Sequence, residues 1–281
     1  MRWKGRRQSD NVEDRRGIGG RGLAAGGGIG MVVLIVIALL MGKNPLQLLQ
    51  QMDAGTAQPA ATTRPAGEDE AAAFVRVVLA DTEDVWDSLF RQMHRTYTDP
   101  VLVMFTGYTE SGCGNANAAT GPFYCPQDQK VYIDLSFYQE LKERFRVQGD
   151  FAMAYVIAHE VGHHVQRLLG IEQQMRQQQE GADERTVNAL SVKLELQADF
   201  LAGVWAHYDQ KMKDVVEEGD IEEALDAANA IGDDKLQMQS QGYVVPDAFT
   251  HGTSAQRMYW FKKGFETGDI RQGNTFAETG M

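Results

Sequence analysis

The sequence predicts an α+β fold that is dominated by helices, contains a small sheet and follows a single N-terminal transmembrane helix. Three observations lead to this prediction. Residues 23–42 form an uncharged, largely apolar run, and 20 helical residues span the roughly 30 Å of a bilayer core. Beyond residue 74, most apolar residues recur with the helical period. Two short apolar runs, 101–105 and 131–134, have the length and pattern of strands.

The composition restricts the class of protein. The chain has 281 residues, an apolar fraction of 43% and a net charge of −12 at pH 7. These values are typical of a globular protein, and an acidic chain lacks the basic face that a nucleic acid requires. Only two cysteines are present, which excludes a four-cysteine zinc scaffold and a mini-protein held by several disulfides. We therefore expect a globular domain without a nucleic-acid partner.

The N-terminal segment, residues 1–22, is basic although the chain as a whole is acidic. It carries seven cations and three acids directly before the uncharged run 23–42. A cleaved signal peptide would have a shorter apolar region and a small-residue cleavage site, which residues 41–45 do not provide. A buried soluble helix fits the cationic flank badly. We expect residues 23–42 to anchor the protein in a bacterial inner membrane as a single pass, with residues 1–22 in the cytoplasm and the rest periplasmic or extracellular.

A flexible linker over residues 43–73 and a folded domain over residues 74–281 are predicted after the anchor. Residues 51–73 are rich in Ala, Gly, Thr, Gln and Pro and contain no aromatic residue, which is typical of a linker. Within the domain, the Gly- and Asn-rich residues 112–122 predict a loop. Helices are predicted over residues 77–93, 150–170, 184–208, 222–231 and 254–265. One more helix is predicted between the strand 131–134 and residue 145.

The predicted helix 150–170 contains an H-E-x-x-H motif at residues 159–163. Residues four apart lie on one face of a helix, so His159 and His163 can offer ring nitrogens to one metal ion. From the next position on the helix, Glu160 can reach a metal-bound water and accept its proton as a general base. A chance match on an ordinary helix is the alternative interpretation.

The later helix carries a possible third metal ligand. Glu195 and Asp199 are again four residues apart on one helical face. Glu195 can complete a set of two histidines and one glutamate, which leaves one position open for water. Asp199 can accept a hydrogen bond from the ring N–H of a ligand histidine. The alternative is a solvated acidic stripe, but the sequence neighbours of these two residues are largely apolar, which argues against a solvated position.

The two motifs together resemble those of the gluzincin metallopeptidases. The E-x-x-A-D sequence at 195–199 is similar to that of the membrane-associated CAAX-processing and HtpX-type proteases. Residues 1–16, 121–126 and 194–199 resemble the YpfJ-type bacterial family of neutral zinc metallopeptidases, and this resemblance covers nearly the whole chain. It implies a zincin-like metallopeptidase domain with one zinc ion per chain, one membrane anchor and a peptide or protein substrate.

A further histidine is assigned by resemblance. Thr250-His251-Gly252 resembles the Thr-His-Pro segment of the HtpX-type family, in which the histidine is a candidate for stabilising the transition-state oxyanion. This implies a catalytic role for His251, although glycine replaces proline here. Alternatively, the segment only precedes a helix cap at Thr253 or Ser254.

The cysteines, Cys113 and Cys125, both follow the predicted anchor. On the oxidising side of the membrane they are expected to form a disulfide. A metal site is the weaker interpretation, because no other cysteine or histidine is near either of them in sequence. The segment that the bridge would hold, residues 121–134, is a hypothetical sheet edge at which a peptide adds as an extra strand.

Two functional hypotheses follow. The leading one is a membrane-anchored zinc metallopeptidase that hydrolyses peptide bonds with Glu160 as general base. The alternative is a catalytically silent, membrane-tethered peptide-binding or chaperone-like module with a structural metal site. The first is favoured because a purely structural metal site has no use for a glutamate beside its first ligand.

Overall fold

The computed structural model describes residues 1–17, 68–117 and 120–277. Helices surround a small sheet in these ranges, which confirms the predicted α+β class. The predicted anchor, 23–42, and most of the predicted linker, 43–73, lie outside the described residues. Among the described helices, none is long and apolar enough to cross a membrane.

Along the chain, most of the strands come before most of the helices. The strands are β1 (Val12–Asp14), β2 (Val101–Phe105), β3 (Tyr108–Ser111), β4 (Gly114–Asn117), β5 (Phe123–Cys125) and β6 (Lys130–Asp134). The helices are α1 (Glu68–Gln92), α2 (Phe137–Glu143), α3 (Phe151–Leu169), α4 (Ile171–Gln179), α5 (Glu184–Lys213), α6 (Asp220–Ala230), α7 (Asp233–Gln241) and α8 (Ser254–Thr267). The predicted linker is therefore wrong for residues 68–73, which belong to α1.

The main sheet has the strand order β1-β2-β6-β5. Strands β1, β2 and β6 are parallel, whereas β5 runs antiparallel to β6 and forms one edge. Strands β3 and β4 make a separate antiparallel hairpin. The predicted loop over residues 112–122 is thus wrong in part, because β4 lies within it. This hairpin is mostly exposed and polar, so it lacks the apolar alternation that identifies a strand in sequence.

The N-terminal residues are part of the folded domain. Strand β1 pairs with β2 from Val12 opposite Leu102 to Asp14 opposite Met104. Nearby, the Arg6 guanidinium lies 2.7 Å from an oxygen of the buried Asp81 on α1. Arg2, Lys4 and Arg7 likewise pair with carboxylates of the domain.

This arrangement corrects the predicted topology. Residues 1–17 were expected on the cytoplasmic side and the domain on the other side of the membrane. Strand β1 is part of the main sheet, so the prediction that residues 1–17 form a segment separate from the folded domain is wrong. Residues 17 and 68, which flank the segment 18–67, belong to the same folded unit.

Helix α3 forms the centre of the domain and is buried over most of its length. It packs against α5, α6 and α1. At Gly162, an added Cβ would lie 3.1 Å from the carbonyl oxygen of Ala198, so glycine permits α3 and α5 to approach closely. The first N–H of α3, on Phe151, is capped by Glu223 at 3.0 Å, and the side chain of Asp150 makes no cap hydrogen bond. The close contact brings Glu195 and Asp199 on α5 to the histidines on α3.

Candidate metal centre

Three potential metal ligands converge between α3 and α5. The Nε2 atom of His159 lies 3.1 Å from one carboxylate oxygen of Glu195, and the Nε2 atom of His163 lies 3.5 Å from the other. The ligating atoms all lie within 4.8 Å of one another. Two histidines and one glutamate are a donor set of catalytic zinc sites, and they leave a coordination position free. The residues therefore fit a zinc ion.

A second group of potential ligands occurs in the described ranges. It comprises Asp150, Asp220 and Glu223. It offers only carboxylate oxygens, which suit hard cations better than a catalytic zinc. The zinc assignment therefore rests on the histidine-containing group.

Asp199 is fully buried behind His159. Its Oδ1 atom lies 2.8 Å from His159 Nδ1 and accepts a hydrogen bond from the Tyr155 hydroxyl at 2.5 Å. Arg257 donates to both carboxylate oxygens. Burial opposes ionisation, but the charges of Arg257 and His159 outweigh it and lower the pKa of Asp199 to about 2. An ionised Asp199 accepts the hydrogen of His159 Nδ1, which directs Nε2 toward the metal centre.

Glu160 lies in the cleft next to the metal centre and is 8% exposed. Burial raises the pKa of its carboxyl group above the usual value, and the positive charges of His159 and His163 oppose this rise. The backbone N–H of Tyr124 on β5 also opposes the rise in the pKa of Glu160. A carboxylate with a raised pKa is a stronger base, as general base catalysis at neutral pH requires.

His251 lines the same cleft but is not one of the three converging ligands. Its Nδ1 atom lies 2.9 Å from the Thr250 hydroxyl and 3.3 Å from Asp233 Oδ1. The other oxygen of Asp233 accepts hydrogen bonds from the backbone N–H groups of residues 250–252. The hydrogen bond with Asp233 raises the pKa of His251 above the usual value, burial opposes the rise, and the charge of Glu195 adds to it.

The cleft has a volume of about 580 Å³ and runs past the metal centre. Strand β5 contributes Phe123 and Tyr124 to its lining. Apolar side chains from other elements also line it, namely Phe137, Phe145, Val156, Ile231 and Leu236. The predicted disulfide between Cys113 and Cys125 is confirmed, and it ties the β3–β4 turn to β5.

The comparisons with known proteins agree with this geometry. A family model described as "Putative neutral zinc metallopeptidase" matches residues 1–276. The chain belongs to this zinc metallopeptidase family. "Uncharacterized protein YpfJ" of Escherichia coli (strain K12) is 53% identical over 99% of this chain and 100% of its own length. "Uncharacterized protein Rv2575" of Mycobacterium tuberculosis (strain H37Rv) is 38% identical over 85% of each chain. No solved structure matches the chain.

Membership of the zinc metallopeptidase family confirms the resemblance to YpfJ-type proteins and implies zinc. The family match begins at residue 1, so it includes the segment that forms β1. This agrees with residues 1–17 being part of the domain.

In this metallopeptidase, the side chain of His164 on α3 holds strand β5 against the helix. The Nε2 atom of His164 lies 2.7 Å from the Thr98 carbonyl oxygen, which can only accept, so Nε2 donates. The Nδ1 atom then accepts from the Tyr124 hydroxyl at 3.0 Å. The contact fixes Tyr124 in the cleft that also contains Glu160.

Sequence reasoning missed three side chains that support the site in this metallopeptidase. They are Tyr155, Gln166 and Asp233. Tyr155 precedes His159 by four residues and Gln166 follows His163 by three, so helical spacing could have identified both. Asp233 is 18 residues before His251, and no local pattern connects the two.

Proposed function

We propose that this protein is a zinc-dependent peptidase that hydrolyses peptide bonds, with one zinc ion per chain and Glu160 as general base. The observation that carries the proposal is the buried Glu160 beside the converging His159, His163 and Glu195, in a cleft bordered by a sheet edge. His159, His163 and Glu195 would hold the zinc ion, which would supply Lewis acidity toward a water and the scissile carbonyl at neutral pH. Glu160 accepts the proton of the attacking water and passes it to the leaving amine.

His251 donates a hydrogen bond to the oxyanion that develops on the substrate carbonyl. Its Nδ1 side is occupied by Asp233 and Thr250, which orients the ring and leaves Nε2 for the substrate. The raised pKa of His251 favours the protonated form, in which Nε2 carries a hydrogen.

Strand β5 binds the substrate backbone. It is the edge strand of the main sheet, and its Tyr124 lines the cleft that also contains Glu160. An extended peptide that adds to this edge would therefore lie along the cleft beside the metal centre. This arrangement supports a peptide or an unfolded protein segment as substrate.

The test uses the full-length protein with its metal content measured and a proteome-derived peptide pool as substrate. The wild-type protein should contain zinc and cleave peptides, and chelation should abolish cleavage. Glu160→Gln should retain zinc and lose activity by about 10²- to 10⁴-fold. Glu218→Gln, at an exposed position, serves as the matched control and should remain active.

Two results would contradict the proposal. Unchanged activity of the Glu160→Gln variant would refute the role of Glu160. A zinc-loaded wild-type protein that cleaves no peptide, yet binds peptides equally well with Glu160→Gln, would favour the silent binding module.

We also propose that residues 23–42 associate with a membrane, whereas residues 1–17 and 68–277 lie together on its periplasmic or extracellular face. The uncharged run supports membrane association, and the disulfide supports an oxidising compartment. The pairing of β1 with β2 supports a common side for both parts.

Cysteine labelling tests this topology. Gln8 and Lys211 are exposed on the two parts of the domain. In intact cells, Gln8→Cys and Lys211→Cys should react equally with a membrane-impermeant maleimide. Labelling of Lys211→Cys alone would instead support the single-pass arrangement with a cytoplasmic N-terminus.

A further inference from the structure

Gln166 is a fully buried side chain on α3, one helical turn after His163. Its Oε1 atom lies 2.9 Å from His163 Nδ1, the ring nitrogen that does not face Glu195. The contact corresponds in position to that between Asp199 and His159, but a neutral amide replaces the carboxylate.

The surroundings determine the orientation of the Gln166 amide. Its Nε2 atom lies 2.7 Å from the carbonyl oxygen of Leu194 and 3.1 Å from Oε1 of Gln197. Both of these oxygens accept hydrogen bonds, so they use the two hydrogens of the Gln166 amide. The remaining Oε1 atom of Gln166 can only accept, and the hydrogen it accepts is that on Nδ1 of His163.

We propose that Gln166 is a positioning residue that keeps the hydrogen of His163 on Nδ1 and thereby directs the Nε2 lone pair to the metal centre. This inference rests on the proposed zinc site. The same amide binds the carbonyl of Leu194, the residue before Glu195, so it also sets the position of α5 relative to α3. Gln166 therefore couples two of the three metal ligands.

The neutral character of Gln166 has an electrostatic reason. Asp199 is balanced by the charge of Arg257. In the described ranges, the side chain of Gln166 has hydrogen bonds with His163, the Leu194 carbonyl and the Gln197 amide, and none of these partners is an arginine or a lysine. A carboxylate at this position would add an unpaired negative charge close to Glu160 and Glu195. The amide supplies the acceptor that a ligand histidine needs without that charge.

The test compares the zinc affinity and the stability of three variants of the full-length protein. Zinc affinity is measured by competition with a chelator, and stability by urea unfolding of the zinc-free protein. Gln166→Met keeps the length of the side chain but removes the acceptor, and it should weaken zinc binding by about 10- to 100-fold. Gln197→Met removes neighbouring hydrogen bonds but leaves the contact of His163, so it should lower stability and keep zinc affinity.

Gln166→Glu separates positioning from a merely structural role. It restores an acceptor for His163 but places an oxygen against the Leu194 carbonyl. We expect zinc affinity near that of the wild type together with a lower urea midpoint. A structural role alone would lower both quantities together.

Three outcomes are decisive. If Gln166→Met binds zinc as tightly as the wild type, or if Gln166→Glu binds it as weakly as Gln166→Met, the assignment of Gln166 is overturned. If the wild-type protein binds no zinc, the proposed function fails and this inference fails with it. Since no substrate is used, a lack of peptidase activity does not affect the result.

Discussion

Arg257 and Asp199 form a buried ion pair behind the metal centre, with 2.9 Å between Arg257 Nε and Asp199 Oδ2. The pair connects α8 to α5, and Asp199 in turn contacts His159 on α3. The two helices α5 and α8 cross closely because Gly203 and Gly264 face the opposite backbone, where an added Cβ would lie 2.1 Å from a carbonyl oxygen. The position of a metal ligand thus depends on the packing of the last helix.

The first prediction concerns this ion pair. Arg257→Met leaves the buried Asp199 with only His159 to offset its charge, which should lower the free energy of unfolding by up to about 3–5 kcal/mol. Urea unfolding of the zinc-free protein at pH 7 measures the loss. The double variant Arg257→Met/Asp199→Asn removes the charge and should recover part of the stability. Equal stability of the single variant and the wild type would contradict this account.

The second prediction concerns the pH dependence of activity. The hydrogen bond that His251 donates to Asp233 raises the pKa of His251, with Glu195 adding to the rise and Arg257 opposing it. Protonated His251 is the form that stabilises the oxyanion, so activity should fall as pH rises through its pKa. Asp233→Asn lowers that pKa and should move the alkaline limb of kcat/KM to lower pH.

Asp234→Asn is the matched control for this experiment. Asp234 lies next to Asp233 on α7 but caps Ser254 and does not contact His251. The alkaline limb of kcat/KM for Asp234→Asn should coincide with that of the wild type. An unshifted limb in Asp233→Asn would remove His251 from the mechanism.

The third prediction concerns Asp209, a fully buried carboxyl group without a hydrogen-bond partner in the described ranges. Burial and the charge of Asp81 raise its pKa to about 7, although Lys213 and Arg6 oppose the rise. The folded protein therefore retains a proton that the unfolded chain releases near pH 4. Stability contributed by this group is present at low pH and is lost as pH rises through about 7.

Asp209→Asn should remove this pH dependence and be more stable than the wild type at pH 8. Urea unfolding at pH 5 and pH 8 tests the prediction, and Asp226→Asn, at an exposed position of α6, is the control. The prediction would be refuted if the wild-type protein gained stability relative to Asp209→Asn as the pH rises from 5 to 8.

The fourth prediction concerns the disulfide. Cys113 and Cys125 are 12 residues apart, and a bridge over such a loop contributes about 2–4 kcal/mol. Cys113→Ser/Cys125→Ala should be less stable by a similar amount and should no longer respond to reductant. Since the bridge holds β5 at the cleft, KM should rise more than kcat falls. A double variant with wild-type KM would show that the bridge stabilises the domain without affecting the substrate edge.

Local spacing was sufficient for the central part of the site. His159, Glu160 and His163 are separated by distances that any helix converts into a defined geometry, and the apolar neighbours of Glu195 indicated a buried position. The prediction of a disulfide succeeded because two cysteines without other partners leave few alternatives. Gln166 also had a local signal, its three-residue separation from His163, which helical spacing could have identified.

The sequence by itself determined the helix-dominated α+β class, the metal-binding motif and the family. Only the tertiary structure decided what the basic N-terminus does and that Asp233 and Arg257 support the site. In the sequence, Arg6 belongs to the basic segment that predicts a cytoplasmic N-terminus, but in the structure it pairs with Asp81, 75 residues away along the chain. Likewise, Asp233 at the start of α7 supports His251 in the loop before α8, and Arg257 on α8 supports Asp199 on α5. Helical periodicity relates residues that are one or two turns apart on the same helix. The contacts named here join distant parts of the chain and depend on how the helices pack against one another, which no short segment of sequence encodes.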